Sequence, residues 1–453
     1  MSTKHLYHDS LYLFDQAQPS FWEATSGVDL PDWPALNSDH HCEVAVIGGG
    51  FTGMSTALHL AREHGRDVRV LEAGHIGWGA SGRNGGFCTV GSAKMSFKRQ
   101  LRNYGAEQTY RYFETQEDAV ALCRELIDAE NMDFKPQGDG EWVVAESRAH
   151  FKRLCVESCE WSAHTPLKTK MVSQQEFASQ GYDAPHQHGG MLIESGFGLH
   201  PLRYIKGLAR AAAKYGADIS PNSEVIRWSK LDGKHVLECA NGTLTADKIV
   251  VACNGFMPEH LSPNLHGYTL PLQSILNVTR QLTDEELLKY PWHTGAPTIN
   301  SPHVYVYYRL LPDNRLMIGG RGDNIGHPDG ARKTVESIHE KFAQLWPAWS
   351  HVEFEYSWRG LICFNQNFTP AVSQLPNDNS VYLGYGYHGN GVATASWAGK
   401  QLANWIATEN SPDTNTLPAI YRGRPPRFFI PKLRKVYGRV GLEYYLTLDK
   451  LFK

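Results

Sequence analysis

Apolar residues along the first hundred positions come in two rhythms. Glu43-Val44-Ala45-Val46-Ile47 is an almost unbroken apolar run, too short for a helix and suited to a strand buried on both faces. From Phe51 to His64 the rhythm lengthens: Met54, Ala57, Leu58, Leu60 and Ala61 share one helical face, and Gly65 sits where a helix turns left-handed to stop. A second strand, Asp67-Val68-Arg69-Val70-Leu71, follows and ends on Glu72. The joint between first strand and helix is Gly48-Gly49-Gly50-Phe51-Thr52-Gly53, with Gly48, Gly50 and Gly53 in the frame G-x-G-x-x-G. Such a frame also closes purely structural turns, but its flanks here give it chemical content. Strand, turn and helix in this order let backbone N–H groups and a helix N-terminus meet a dinucleotide pyrophosphate with no side chain between, and Glu72 stands where an acid accepts ribose hydroxyls.

Further along, an amphipathic helix is predicted from Tyr104 to Ile127, with Phe113, Val120, Cys123 and Ile127 inside. Gly140 to Ala145 reads as a strand and 147–162 as a helix. Pro201 opens another helix, with Leu202, Ile205, Leu208, Ala209 and Ala212 on one face and Gly216 at its end. Residues 217–219 and 223–228 read as a strand pair, and Val236-Leu237 with Asn241-Gly242 as a hairpin-like piece. Ile249–Ala252, bounded by Asn254-Gly255, has the pattern of a third buried parallel strand. From Pro271 to Gly322 the pattern becomes β: Ile275–Thr279, Val304–Arg309 and Arg315–Gly320, with a turn at Pro312-Asp313-Asn314. A helix over 332–346, a stretch 353–363 that leads back to the first domain, and a strand from Val381 follow. The last runs into Gly384-Tyr385-Gly386-Tyr387-His388-Gly389-Asn390-Gly391-Val392 and a helix to Thr408, so a second helix N-terminus, with its free N–H groups and partial positive charge, opens behind glycines.

Composition narrows the partners. A chain of 453 residues holds two or three domains, and a net charge of −3 gives no basic field for nucleic acid. Met1 to His8 lacks the apolar core of a signal peptide and no run of some 18 apolar residues occurs, so the expected location is the cytoplasm. Eight cysteines without C-x-x-C spacing signal neither zinc nor disulfides. His40, His41, His186 and His188 sit in polar, loop-like sequence and read as solvated rather than metal-bound. Phe21, Trp22 and Trp33 make residues 1–41 an ordered arm, because such rings need burial. The tail 411–453 is basic and amphipathic: Arg422, Arg424, Arg427, Lys432, Arg434, Lys435, Arg439, Lys450 and Lys453 stand among aromatics and face only Glu443 and Asp449 beyond Tyr421. Peripheral contact with an anionic membrane is one reading of it. Packing over the chain's own cofactor domain is the preferred one.

Gly74 to Gly86, Gly-His-Ile-Gly-Trp-Gly-Ala-Ser-Gly-Arg-Asn-Gly-Gly, is too glycine-rich for a helix and long for a strand–helix connection. With the Gly-Gly-Gly-Phe-Thr-Gly turn it resembles the D-amino-acid-oxidase-type flavoproteins, and within them most closely the γ-glutamylputrescine oxidoreductase branch, whose arm preceding the dinucleotide fold is also similar to Phe21–Thr25. The resemblance implies an α/β protein: a Rossmann-like FAD-binding domain with a central parallel sheet (42–100, 190–258 and 355–410) and a discontinuous, antiparallel-sheet α+β substrate domain (101–189 and 259–354). It implies non-covalent FAD held by Gly48, Gly50, Phe51, Thr52, Gly53, Glu72 and Ala73, by Ala80, Ser81, Arg83, Asn84, Gly85 and Gly86, and by Val225, Asn254, Gly255, Gly389, Asn390, Gly391 and Val392. Val225 is equally an ordinary sheet valine. The loop 77–86 has no histidine to tether a flavin, and Cys363 is the one alternative tether.

Oxidation of an amine by a flavin asks the protein for orientation, desolvation and stabilisation of the reduced ring rather than an acid–base triad. His388 and Trp358 are the catalytic candidates. Tyr305 and Tyr307 are the expected wall for a methylene chain, and Arg309 or Arg321 the cation for a substrate carboxylate. The expected substrate is a γ-glutamylated polyamine or alkylamine, with oxygen, a quinone or a carrier protein taking the electrons. An N-methylglycine-type or D-amino acid is the alternative substrate, and a non-catalytic dinucleotide-binding protein the alternative from another class. Phe364-Asn365-Gln366-Asn367-Phe368-Thr369-Pro370 replaces the Thr-Asp/Arg-Pro pattern of many relatives after Trp358-Arg359-Gly360, which leaves the substrate less defined than the cofactor.

Overall fold

His40–Ile47 forms the middle of a sheet, parallel to Val68–Leu71 on one side and Thr243–Val251 on the other, so that Val46 faces Val70 and Val250. This computed structural model describes residues 5–323 and 326–451. Lys453 of the tail and the first four residues lie outside them. Asp218–Ser220 extends the sheet past Val68–Leu71, and Asp378–Tyr385 extends it past Thr243–Val251, with Ala371–Leu375 antiparallel at the edge. Parallel neighbours require crossovers, and the helix Phe51–His64 supplies the first. It packs against the helices Pro201–Lys214 and Val392–Thr408. The second contact is backbone to backbone: a Cβ on Gly399 would stand 2.5 Å from the Thr52 carbonyl oxygen. Gly65, at φ 59, closes the helix with its N–H on Ala61, as the glycine predicts.

The second sheet runs in the order Phe354–Phe364, Leu270–Thr279, Leu316–Arg321, Tyr307–Leu310, Thr298–Asn300, Glu141–Val144, Gly190–Ile193, Thr169–Val172. It is antiparallel except where Thr298–Asn300 meets Glu141–Val144. Gly190–Ile193 and Phe354–Phe364, which the boundaries 190–258 and 355–410 group with the parallel sheet, pair in this second sheet. The segments 217–219 and 223–228 are not partners of one another: Asp218–Ser220 joins the parallel sheet, while Arg227–Leu231 pairs with Lys234–Glu238. His40 and His41 open the central strand rather than sitting in a loop. The long helix reaches from Phe97 to Ala129 and is interrupted at Gly105 (φ 79, ψ 169), which explains why the periodicity is readable only after Tyr104.

The arm packs on the glycine-rich loop. Trp22, 2 % exposed, donates its indole N–H to the Asn84 carbonyl (2.8 Å), and Trp78 in the loop donates back to Leu13 and Gln16 of the arm. The tail does two things. Around Tyr421 it packs on the cofactor domain, with the Tyr421 ring against Trp397 and its hydroxyl bonded to Thr115 and Gln116. Its helix, Arg434–Leu451, instead lies on the second sheet, where Gly438 lies against Leu270 and Leu272 and Arg434 pairs with Glu259 at 2.8 Å. Lys435 donates to the carbonyl of Leu6, so arm and tail meet. Among the described residues no helix is long and apolar enough to cross a membrane.

Candidate active site

Both sheets, the arm and the tail helix border one cavity of about 1320 Å³. Ligand pockets of about 300–1,000 Å³ hold one drug-sized molecule, so this space suits a cofactor together with a second ligand.

At one end the first glycine turn forms the wall. Gly48, at φ 105, and Gly53, whose Cβ would stand 1.9 Å from the Gly48 carbonyl oxygen, admit no side chain, which is how the helix reaches the turn. Gly50 is the N-cap of Phe51–His64 and supplies no side-chain cap, and the Phe51 N–H donates to Ser81 Oγ at 2.9 Å. Glu72 lies beneath this turn, its carboxylate accepting from the Gly49 N–H (2.7 Å) and the Gly74 N–H (3.0 Å). Burial pushes its pKa up against those two bonds. Ala73 and Val225 line the cavity beside it.

The glycine-rich loop forms the next wall. Ala80–Arg83 is a single helical turn that presents Ala80, Ser81 and Arg83 to the cavity, followed by Asn84 and Gly85. Asn84 fixes the turn by accepting from the Gly86 N–H and donating to the Ala80 and Ser81 carbonyls. Gly86 stands behind the wall rather than on it: at φ 71, its Cβ would fall 2.0 Å from the Leu199 carbonyl oxygen. Arg83 lies over the Trp78 ring at 4.0 Å, and burial lowers its pKa to about 9.

Opposite these, Asn254 and Gly255 end the strand Thr243–Val251, and Asn254 Oδ1 accepts from the Gly386 N–H at 2.9 Å. His388, Gly389, Asn390, Gly391 and Val392 all line the cavity, and Gly391 caps Val392–Thr408 without a side-chain hydrogen bond. His388 is held in the left-handed region (φ 51). Its Nε2 accepts from the Asn365 N–H (3.4 Å), so its Nδ1–H donates to the Ser92 carbonyl (3.1 Å). Burial lowers its pKa to about 3, and the imidazole is neutral with both nitrogens engaged.

These features fit FAD. Two helix N-termini whose cap residues are glycines, Gly50 and Gly391, open on one cavity, as a pyrophosphate and a reduced, negatively charged flavin require. Arg83 Nη2 and Asn390 Oδ1 are buried on its wall with no partner in the protein: one donor and one acceptor left for a ligand.

Two expected site residues lie elsewhere. Trp358 is 3 % exposed and does not line the cavity; its indole N–H donates to the Arg83 carbonyl at 2.8 Å, and its ring meets Trp22 edge to face. It supports the loop from behind. Arg309 is 1 % exposed and also misses the cavity: its guanidinium donates to Gln137 Oε1 (2.9 Å) and the Leu199 carbonyl (2.5 Å), over the Trp22 ring. It braces the strand beside Gly86 and is not available to a substrate carboxylate. Tyr305, Tyr307 and Arg321 do line the cavity, with the Tyr307 hydroxyl 2.8 Å from Ser274 Oγ. The residues that sequence reasoning missed are Lys94, Glu141, Arg153 and Glu157, which line it beyond Tyr305. Glu141 carries the one available signal, an acid heading the strand Glu-Trp-Val-Val whose four residues are all buried.

A family model described as FAD dependent oxidoreductase, DAO, matches residues 43–405. The chain is 29% identical over 391 residues to a probable oxidoreductase OrdL of Rhizobium meliloti, covering 85% of this chain and 87% of that one. It is 29% identical over 447 residues to a gamma-glutamylputrescine oxidoreductase of Escherichia coli, covering 95% and 98%. Among solved structures, glycine oxidase from Geobacillus kaustophilus shares the fold with a TM-score of 0.66 at 20% identity, over 83% of this chain and 97% of that one. With a family model spanning most of its length and a cavity whose walls suit the cofactor, the chain belongs to the DAO family of FAD-dependent oxidoreductases.

Proposed function

We propose that this protein oxidises the C–N bond of an amine, a γ-glutamylated polyamine or alkylamine, to an imine that hydrolyses to an aldehyde. Such a reaction is a step in polyamine breakdown in the cytoplasm. The carrying observation is the near end-to-end likeness to gamma-glutamylputrescine oxidoreductase, 95% of this chain on 98% of that one. The cavity is compatible with it, because Tyr305 and Tyr307 line the same space as the glycine elements. When bound, FAD accepts the hydride from the carbon next to a neutral nitrogen. The chain's own groups then bind and orient. His388, neutral and bonded to two backbone groups, holds the loop 386–391 in place rather than moving a proton, and the helix N-terminus behind Gly391 opens on the cavity, where it would favour negative charge on a reduced flavin. An anaerobic flavin-reduction screen tests the substrate: rapid bleaching by γ-glutamyl amines is expected, and bleaching by N-methylglycine or D-amino acids with none by γ-glutamyl amines overturns the proposal. Hydrogen peroxide release on readmitting air distinguishes oxygen from a quinone or carrier as acceptor.

We further propose peripheral contact with an anionic membrane through the outer face of the tail. Phe429 is 90 % exposed and Val440 63 %, with Leu433, Val436 and Tyr444 exposed beside them and Lys432 and Arg439 in the same segment. An apolar stripe edged by cations matches a bilayer surface. Co-sedimentation with phosphatidylserine vesicles, lost in the double variant Phe429→Glu/Val440→Glu, is expected; a wild-type protein that stays in the supernatant refutes it.

A further inference from the structure

Near Tyr305 the cavity is lined by four charged side chains, Lys94, Glu141, Arg153 and Glu157, with Trp161 beside them, and we refer to this part of it as a lobe. Lys94 hangs from backbone pinned to the Phe368 carbonyl (2.8 Å), with its ammonium 5.4 Å from the Tyr305 ring. Glu141 heads its buried strand, and Arg153 and Glu157 stand one turn apart on the helix Arg148–His164. Arg153 donates to the Ser301 carbonyl. None of the four forms an ion pair with another, although Lys94 pulls on the ionisation of both carboxyls. Their partners are neutral instead: Lys94 bonds Tyr305, Glu141 bonds Thr89 and Arg153 the Ser301 carbonyl. Two cations and two carboxyls thus line one cavity without pairing among themselves.

We infer that this lobe is the subsite for the α-amino-acid end of the substrate, with Lys94 and Arg153 receiving its carboxylate and Glu141 and Glu157 its ammonium. The assignment rests on the proposed γ-glutamyl amine substrate and explains how such a substrate is told from a free polyamine. A polyamine carries only positive charges, so it can meet the two carboxyls but leaves Lys94 and Arg153 without a counter-charge. A γ-glutamyl group brings one charge of each sign, and its aliphatic arm runs back along Tyr305 and Tyr307 to the flavin end.

The test uses the FAD-loaded protein and three ligands that lack the distal amine of a γ-glutamylated polyamine, followed by isothermal titration without air so that none turns over. These are the N-butylamide of glutamate at its γ-carboxyl, the same molecule without its α-amino group, and the same molecule without its α-carboxylate. Lys94→Met and Arg153→Gln raise the Kd of the two carboxylate-bearing ligands by roughly tenfold or more and leave the third unchanged. Glu157→Gln, an isosteric change on a helix, does the converse and weakens only the two ammonium-bearing ligands. Flavin absorbance and thermal midpoint equal to wild type confirm that each variant is folded and loaded. Variants that weaken all three ligands alike, or none of them, overturn the subsite while leaving the amine substrate standing. If wild-type protein binds none of the three and γ-glutamyl amines leave its flavin oxidised, the substrate proposal fails and the subsite with it.

Discussion

Glu72 ties the glycine turn to the loop after it, since its two oxygens hold the Gly49 and Gly74 N–H groups. If it also accepts the FAD ribose as proposed, Glu72→Ala removes both bonds and that acceptor together, so FAD affinity is expected to fall by roughly a hundredfold, with Glu72→Gln intermediate; fluorimetric titration of apoprotein measures both. Cys363, the alternative tether, lines the cavity, but burial pushes its thiol up to about 12 and keeps it protonated, and His75 is bonded to Glu23. Acid precipitation is therefore expected to leave all yellow colour in the supernatant; colour in the pellet refutes it. His388, at about 3, refuses a proton that the unfolded chain takes near its ordinary 6.5. Its contribution to stability is present above pH 6.5 and lost as pH falls toward 3, at up to about 1.4 kcal/mol per pH unit. His59, at about 4, and His200, at about 3, act in the same direction. Glu141, raised to about 7 from 4.5, acts oppositely: its contribution is full below 4.5 and fades as pH rises through 7. Denaturant unfolding should thus show stability dropping between pH 6.5 and 5, less steeply in His388→Gln and more steeply in Glu141→Gln. Equal slopes in all three proteins contradict this assignment.

At the scale of elements, the parts legible in the sequence are those whose pattern is local. The strand, glycine turn and helix around Gly48–Gly53 announce themselves within thirty-odd residues, because period, glycines and terminal acid are all set by near neighbours. Partners far along the chain are not so written. Gly190–Ile193 carries nothing that tells a strand of one sheet from a strand of the other, and Arg309 reads as a free cation because its acceptors, Gln137 and the Leu199 carbonyl, are more than a hundred residues away. The acids and bases of the lobe come from three elements, so no spacing betrays them. Trp358 and Trp22 show the same limit. Both are aromatic residues of the cofactor region, yet each holds the loop 83–84 from behind through an indole N–H. Trp22→Phe keeps the ring and drops that bond. FAD dissociation is expected to quicken several-fold with little change in substrate Kd, as stopped-flow transfer of FAD to an acceptor apoprotein measures; an unchanged rate indicates that the arm does not bear on the loop.

For the whole molecule, the cavity is closed by segments from both ends of the described chain. Tyr437, Gly438, Gly441, Leu442 and Tyr445 line it from the tail, His5, Leu6, Tyr12 and Phe14 from the arm, and Asp449 fastens the tail helix to the backbone of His303 and Val304. Truncation before Pro431, which spares the buried Tyr421, is expected to leave FAD bound while making flavin fluorescence several-fold more quenchable by iodide; quenching equal to wild type refutes a covering role. The placement of that wall also bears on how the protein is made. The glycine turn emerges from the ribosome early, but Asn254, His388 and finally Arg434–Leu451 must follow, and at about 5–20 residues per second roughly 390 residues take some 20–80 s. For that interval the nascent chain has a pyrophosphate turn without the rest of its pocket. The cofactor therefore enters a nearly finished chain, and a ribosome stalled in the last helix yields a protein whose flavin lies open to water.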